Sequence, residues 1–151
     1  MQAFDYVAAK SLSEAVNLLT KYRDQARILS GGTDLIVQVR ENHRQVGMMV
    51  DIKGVPEVNT LSYNGSLEIG ASVPCYKIYS NEAIKSNFPA LVDATSIIGG
   101  VQIQSRASVG GNLCNASPAA DSIPALIILG AQCVVNGPDG ERSIAVEDFC
   151  T

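Results

Sequence analysis

Two pairs of adjacent glycines are the residues whose type and setting point to chemistry. The first lies in Ser30-Gly31-Gly32-Thr33-Asp34, between a short apolar run over residues 26–29 and a segment in which Leu35, Ile36 and Val39 recur at helical spacing. A glycine turn between a strand and a helix lets backbone N–H groups approach an anionic oxygen, and the helix start adds a favourable dipole. The segment is therefore a candidate pyrophosphate cradle. Its other reading is a tight turn in which Thr33 or Asp34 serves as N-cap. It has neither the Gly-Lys-Ser/Thr ending of a P-loop nor the spacing of a GxGxxG fingerprint.

The second pair lies in Ser108-Val109-Gly110-Gly111-Asn112, where a hydroxyl before the glycines and an amide after them can both bond phosphate or ribose oxygens. Two separated glycine turns suit one diphosphate, so Gly31, Gly32, Gly110 and Gly111 are expected to converge on one cleft. A bulge or tight connection is the alternative for the second segment taken alone. Asp121, in Pro118-Ala119-Ala120-Asp121, either accepts hydrogen bonds from a sugar hydroxyl or caps the helix that begins at Ser122.

The elements that must position these segments follow from periodicity. Ser11-Leu12-Ser13-Glu14 reads as a capping box, and Leu12, Ala15, Val16, Leu19 and Tyr22 then form one apolar stripe, which predicts a helix over 12–23. Buried strands are expected over 26–29 and 48–52, giving a compact β-α-β-α-β lobe over residues 1–55. Beyond Gly54 the texture changes to alternation. Residues 61–63, Asn64-Gly65 and residues 67–69 read as a hairpin with a type I′ turn. Pro74 and Pro89 stand near the starts of two helical patterns, the later one carrying Leu91, Val92, Ala94, Thr95, Ile97 and Ile98. A buried helix over 124–129, a strand over 132–135, a turn at Pro138-Asp139-Gly140 and a returning strand over 142–146 complete a second, α+β lobe over 56–151. The chain stops just after that strand, so the second sheet is expected to be unfinished and part of a longer polypeptide to be missing.

With 151 residues, 46% of them hydrophobic, the chain can bury a real core. Its formal charge of -4 and singly scattered Lys and Arg residues speak against nucleic acid as a partner. The longest strongly apolar run, residues 123–131, is far short of the roughly 20 residues that cross a bilayer, and residues 1–10 lack the pattern of a signal peptide, so a soluble cytoplasmic protein is expected. Cys75, Cys114, Cys133 and Cys150 form no CxxC pair and read as reduced, partly buried thiols. The sole histidine, His43, sits in a polar stretch and reads as a solvated loop residue. No metal site is expected on this chain.

Taken in order, Ser30-Gly31-Gly32-Thr33-Asp34-Leu35, Ile69-Gly70-Ala71, Gln102-Ile103 through Ser108-Val109-Gly110-Gly111-Asn112, Asn115-Ala116-Ser117-Pro118 and Asp121 are similar to the flavin-binding subunits of molybdenum hydroxylases such as xanthine, carbon monoxide and nicotinate dehydrogenases. The resemblance spans essentially the whole chain. It implies a two-lobed α+β FAD-binding fold of the vanillyl-alcohol oxidase type, with FAD between the lobes and a C-terminal domain lacking. Carried across by motif, Ile28, Leu29, Ser30, Gly31, Gly32, Thr33, Asp34 and Leu35 would wrap the diphosphate, while Ser108, Val109, Gly110, Gly111 and Asn112 would close on the cofactor. Ile98 falls where an apolar or aromatic residue packs against FAD, and Asp121 on a flavin-contacting acid. Ser30 stands where the family more often has alanine, and Phe149-Cys150-Thr151 where it often has two aromatics before Thr.

The activity implied is that of an electron relay, most like that of xanthine dehydrogenase. A molybdenum cofactor on a large partner subunit would hydroxylate the substrate, and 2Fe–2S clusters on a small partner subunit would pass electrons to FAD here and on to NAD or another acceptor. Flavin supplies the redox chemistry in such a protein, so no catalytic side chain is nominated. Two rival readings are a stand-alone flavin oxidoreductase of the same fold and a non-redox nucleotide-binding module that keeps the glycines only as turns.

Overall fold

The computed structural model describes residues 3–149. The expectations for the Cys150 thiol and for Thr151 concern residues outside that range. Strand β1 (Asp5–Ala8) leads into helix α1 (Leu12–Tyr22), whose N-cap Ser11 accepts from the Glu14 N–H at 3.1 Å while the Glu14 carboxylate takes the Lys10 N–H. The capping box is therefore real. The helix ends one residue before the expected Arg23, which turns the chain at φ 43. Strand β2 (Ala26–Leu29), helix α2 (Leu35–Arg40) and strand β3 (Met48–Asp51) complete a parallel sheet of order β1-β3-β2.

Central β3 is buried throughout, and its side chains alternate as a pleat requires. Met48 and Val50 pack with Ala15 of α1, whereas Met49 packs with Leu29 and Val39 of α2. At the end of β3, Asp51 is 7% exposed, and its carboxylate accepts from Tyr6 Oη at 2.5 Å, Lys53 Nζ at 2.6 Å and the Lys53 N–H at 2.8 Å. Burial pushes this carboxyl up, but those hydrogen bonds outweigh it, so it titrates below its ordinary 3.8. A carboxyl depressed by folding contributes stability that is present above its ordinary value and lost as pH falls through the lower folded value. Asp51→Asn should therefore flatten the acid limb: between about pH 5 and about pH 2 the urea midpoint of the parent should fall more steeply than that of the variant. Parallel curves would remove Asp51 from the acid response.

Strands β4 (Leu61–Tyr63) and β5 (Leu67–Ile69) form the expected hairpin. Its turn differs from type I′. Tyr63 pairs with Leu67, leaving a three-residue loop in which Gly65 takes φ +74 and Asn64 keeps negative φ, closed by the Asn64 N–H on the Ser66 carbonyl at 3.1 Å. Then come α3 (Cys75–Tyr79), α4 (Glu82–Asn87), α5 (Pro89–Ser96), α6 (Val101–Gln104), α7 (Val109–Asn115) and α8 (Ser122–Ile128). The antiparallel pair β6 (Gln132–Gly137) and β7 (Gly140–Ala145) and the short α9 (Val146–Phe149) follow. Val73, Ile78, Ile84, Leu91, Leu113 and Leu126 anchor the core of this part.

Helix α8 starts at Ser122, the start that the capping alternative for Asp121 supposed, and is not buried all round: Ala125 and Leu126 face inward while Ile128 is 75% exposed. Cys75 is buried, and burial pushes its thiol up to about 11, but Cys114 is exposed rather than partly buried. His43 is exposed, as its polar setting suggests. Among the described residues no helix is long and apolar enough to cross a membrane.

Candidate functional site

The first glycine segment leaves the sheet where β2 ends. Leu29 holds that end through the cluster with Met49 and Val39, while Ile28 stays half exposed on the other face. Gly32 then takes φ +79, which favours glycine, and a Cβ there would lie 2.9 Å from Leu29 Cδ1, the end of a side chain. Helix α2 starts with the Ile36 N–H on the Gly32 carbonyl at 3.1 Å and the Gln38 N–H on the Asp34 carbonyl at 3.0 Å. Among the described residues, the N–H groups of Gly31, Gly32, Thr33, Asp34 and Leu35 have no acceptor, and neither Thr33 nor Asp34 caps the helix with its side chain. Asp34 thus stands at the N-cap position, as the tight-turn alternative has it, but without a side-chain bond to the helix. A run of unmatched backbone donors is what an anionic diphosphate takes up.

The second segment meets the first. Ser30 Oγ lies 3.0 Å from both Ser108 Oγ and Ser72 Oγ, and Gln38 Nε2 of α2 donates to Asn115 Oδ1 of α7 at 3.3 Å. Gly31 is seated so closely that a Cβ would overlap the Arg106 carbonyl and lie 3.1 Å from the Ala107 nitrogen. Gly110 is packed in the same way, 2.6 Å separating an added Cβ from Ala71 Cα, Cβ and O. The two glycine segments are in contact, but the gaps at Gly31 and Gly110 are filled by neighbouring backbone instead of lying open.

A further correction concerns the form of the second segment. Gly110 and Gly111 stand in the first turn of α7, not in a loop, a bulge or a tight connection. Ser108, 2% exposed, is the N-cap and accepts the Gly111 N–H at 3.1 Å, so its hydroxyl is engaged within the protein. Val109 is buried beneath the helix, and Asn112 Oδ1 accepts from Ser122 Oγ at 2.6 Å, tying α7 to α8.

Helix α7 ends at Ala116 in the left-handed region, φ 50, and a turn closed by the Ala119 N–H on Ser117 Oγ leads to Asp121. Asp121 is exposed and makes no side-chain bond to α8, so the capping reading is not realised and its carboxylate has no partner among the described residues. Ile98 is 9% exposed and packs with Cys75 and Ala107, whereas its neighbour Ile97 is 64% and Val101 71% exposed. Between them lies a third glycine pair, Gly99-Gly100, that spacing arguments passed over. Buried Gln104 pins it, donating from Nε2 to the Ser96 carbonyl at 2.6 Å and the Gly99 carbonyl at 3.1 Å while Tyr79 Oη donates to its Oε1. The repeated Gly-Gly followed by Gln was the available signal. Two surface concavities, one of about 370 Å³ lined by Asp24, Gln25, Gln45, Val46 and Gly47 and a smaller one beside Ile127 and Val146, lie on other residues than these.

Comparison with known proteins places the chain in a family. The family described as "FAD binding domain in molybdopterin dehydrogenase" matches residues 2–151. The chain is 34% identical over 148 residues to the xanthine dehydrogenase FAD-binding subunit of Escherichia coli O157:H7, covering 97% of this chain and 50% of that protein. It is 32% identical over 151 residues to the nicotinate dehydrogenase FAD-subunit of Eubacterium barkeri, covering 99% and 51%. A solved carbon monoxide dehydrogenase from Hydrogenophaga pseudoflava superposes with a TM-score of 0.96 at 29% identity, over 99% of this chain and 53% of that one. The chain thus spans about half the length of the curated relatives it matches.

Proposed function

This chain belongs to the family of FAD-binding domains of molybdopterin dehydrogenases, with the family's two-lobed α+β fold, and from that premise we propose that it holds FAD through its diphosphate at residues 30–35 and serves as the flavin relay of a molybdenum hydroxylase. The observation that carries the reading is the run of unmatched N–H donors from Gly31 to Leu35, seated against the start of α7. Those donors fit a diphosphate. Ile28, Leu29 and Ser30 deliver the cradle from the sheet, and Ser108, Val109, Gly110, Gly111 and Asn112 fix it from the other side. Asp121 accepts hydrogen bonds from the cofactor, and Ile98 backs the apolar wall on which Ile97 and Val101 are exposed.

Bound FAD supplies the electron-transfer chemistry, and the protein's part is binding, orientation and exclusion of water. We place the boundary between the lobes at residues 55 and 56, supported by the separate apolar clusters on either side. The implied partners are a large subunit with the molybdenum cofactor and a small subunit with 2Fe–2S clusters. The electron acceptor is NAD or another acceptor, the complex is most like a xanthine dehydrogenase, and the compartment is the cytoplasm.

Titration of the purified chain with FAD tests the core of this. Saturable quenching of flavin fluorescence, competed by ADP, is the expected result. Absence of any response to FAD or ADP would leave the glycines as turns alone.

A further inference from the structure

Three serines from three parts of the chain meet behind the cradle, and their protons can be counted. Ser30 Oγ is 3.0 Å from Ser72 Oγ and 3.0 Å from Ser108 Oγ. Each hydroxyl has one proton to donate and two lone pairs to accept with. Ser108 Oγ already accepts the Gly111 N–H. Ser72 is 5% and Ser108 2% exposed, while Ser30 is only half buried.

The direction of the two bonds follows from these facts. Were Ser30 to donate to Ser108, the Ser108 proton would be left in the interior with no acceptor among the described residues. Were it to donate to Ser72, the Ser72 proton would be left in the same way. One arrangement gives both buried protons an acceptor: Ser72 and Ser108 both donate to Ser30. Both Ser30 lone pairs are then occupied, and its own proton is left for a partner other than the two buried hydroxyls, on the residue that opens the cradle.

We infer that Ser30 is a direct donor to the ligand of the cradle, giving its hydroxyl proton to an anionic phosphate oxygen held by the backbone N–H groups of residues 31–35. This rests on the reading of that cradle as a diphosphate site and goes beyond it by assigning a side-chain donor held in direction by two buried hydroxyls. A hydroxyl that already accepts two hydrogen bonds is also the better donor, because chains of such bonds polarise one another.

FAD and ADP titrations of the parent chain, Ser30→Ala, Ser30→Thr and Ser72→Ala decide the matter, with thermal melting of each apoprotein alongside. Ser30→Ala should weaken both ligands by about tenfold, in keeping with one lost bond to a charged group. Ser30→Thr, which keeps the hydroxyl, should return affinity to within about threefold of the parent. Ser72→Ala should lower the melting temperature as Ser30→Ala does, since both disturb the buried serines, yet weaken affinity distinctly less than Ser30→Ala, because the Ser30 hydroxyl survives with Ser108 still donating to it. Equal FAD affinity of Ser30→Ala and parent overturns the inference alone. So does a Ser72→Ala loss as large as that of Ser30→Ala, which would make the effect one of packing. A parent that binds neither FAD nor ADP overturns the diphosphate reading and this inference together.

Discussion

Gly31→Ala is expected to lower the stability of the apoprotein by about 3 kcal/mol and to abolish measurable FAD binding. The reason is what the methyl would meet. Its neighbours are the carbonyl carbon and oxygen of Arg106 and the nitrogen of Ala107, all backbone, so no flexible side-chain end can swing away. Relief requires the cradle and the start of α7 to separate, which breaks the Ser30–Ser108 bond and moves the donors of residues 31–35 off their positions. Gly54→Ala is the matched control: its Cβ would meet only the Ala9 carbonyl oxygen, at an ordinary 3.7 Å, so its stability should stay within about 1 kcal/mol of the parent. Urea midpoints of the two variants check this. Coinciding midpoints would mean that residue 31 is not pressed against residues 106–107 in solution.

Asp121→Ala should weaken FAD binding by one to two orders of magnitude while leaving the apoprotein as stable as before. A lost charged hydrogen bond to ligand is worth about 1.5–3 kcal/mol, which converts to that range of affinity. A lost N-cap would instead cost about 1 kcal/mol of stability. The structure separates the two, because Asp121 precedes α8 without capping it and its exposed carboxylate has no partner among the described residues. FAD titration and apoprotein melting of the same preparation give the readout. A fall in melting temperature with unchanged affinity would return Asp121 to a structural role.

How much of this was legible in the sequence depended on whether the cause was local. The Ser11 and Glu14 capping pair, the apolar run of β2 and the β4–β5 hairpin all depend on residues a few positions apart, and each reads directly from its letters. The fold as a whole and the identity of the cofactor came through the ordered motifs that resemble a known family, not through periodicity. Helix α7 did not come through. Two glycines cost a helix roughly 1 kcal/mol each, so Gly110-Gly111 argues locally for a turn. What overrides that is distant in sequence: Ala71 approaches Gly110 so closely that no larger residue fits, and Ser30 holds the capping Ser108. The role of Gln104 was hidden in part for the same reason, since the Tyr79 hydroxyl and the Ser96 carbonyl are brought to it by the packing of α3 and α5, while the Gly99 carbonyl lies in the loop just before it. Likewise Gly65 alone, rather than Asn64 with it, adopts positive φ because the strands pair in a register that leaves three loop residues.

The strand order β1-β3-β2 bears on how the chain comes to fold. β1 and β2 do not pair with each other; each joins the sheet through β3, where Met48 pairs with both Asp5 and Ala26. During synthesis the first two strands therefore emerge with no ladder to join, and α1 and α2 have no sheet to cover. The hairpins β4–β5 and β6–β7 can each close within about 1–10 μs of their residues becoming available, because their partners adjoin in sequence. The parallel sheet must first bring ends of long loops together, with the entropic cost incurred before any pairing rewards it. Since residues 30–35 hang from the end of β2, their N–H groups are expected to take their places only once β3 lies between the two strands, so the proposed anion site would form no earlier than the parallel sheet.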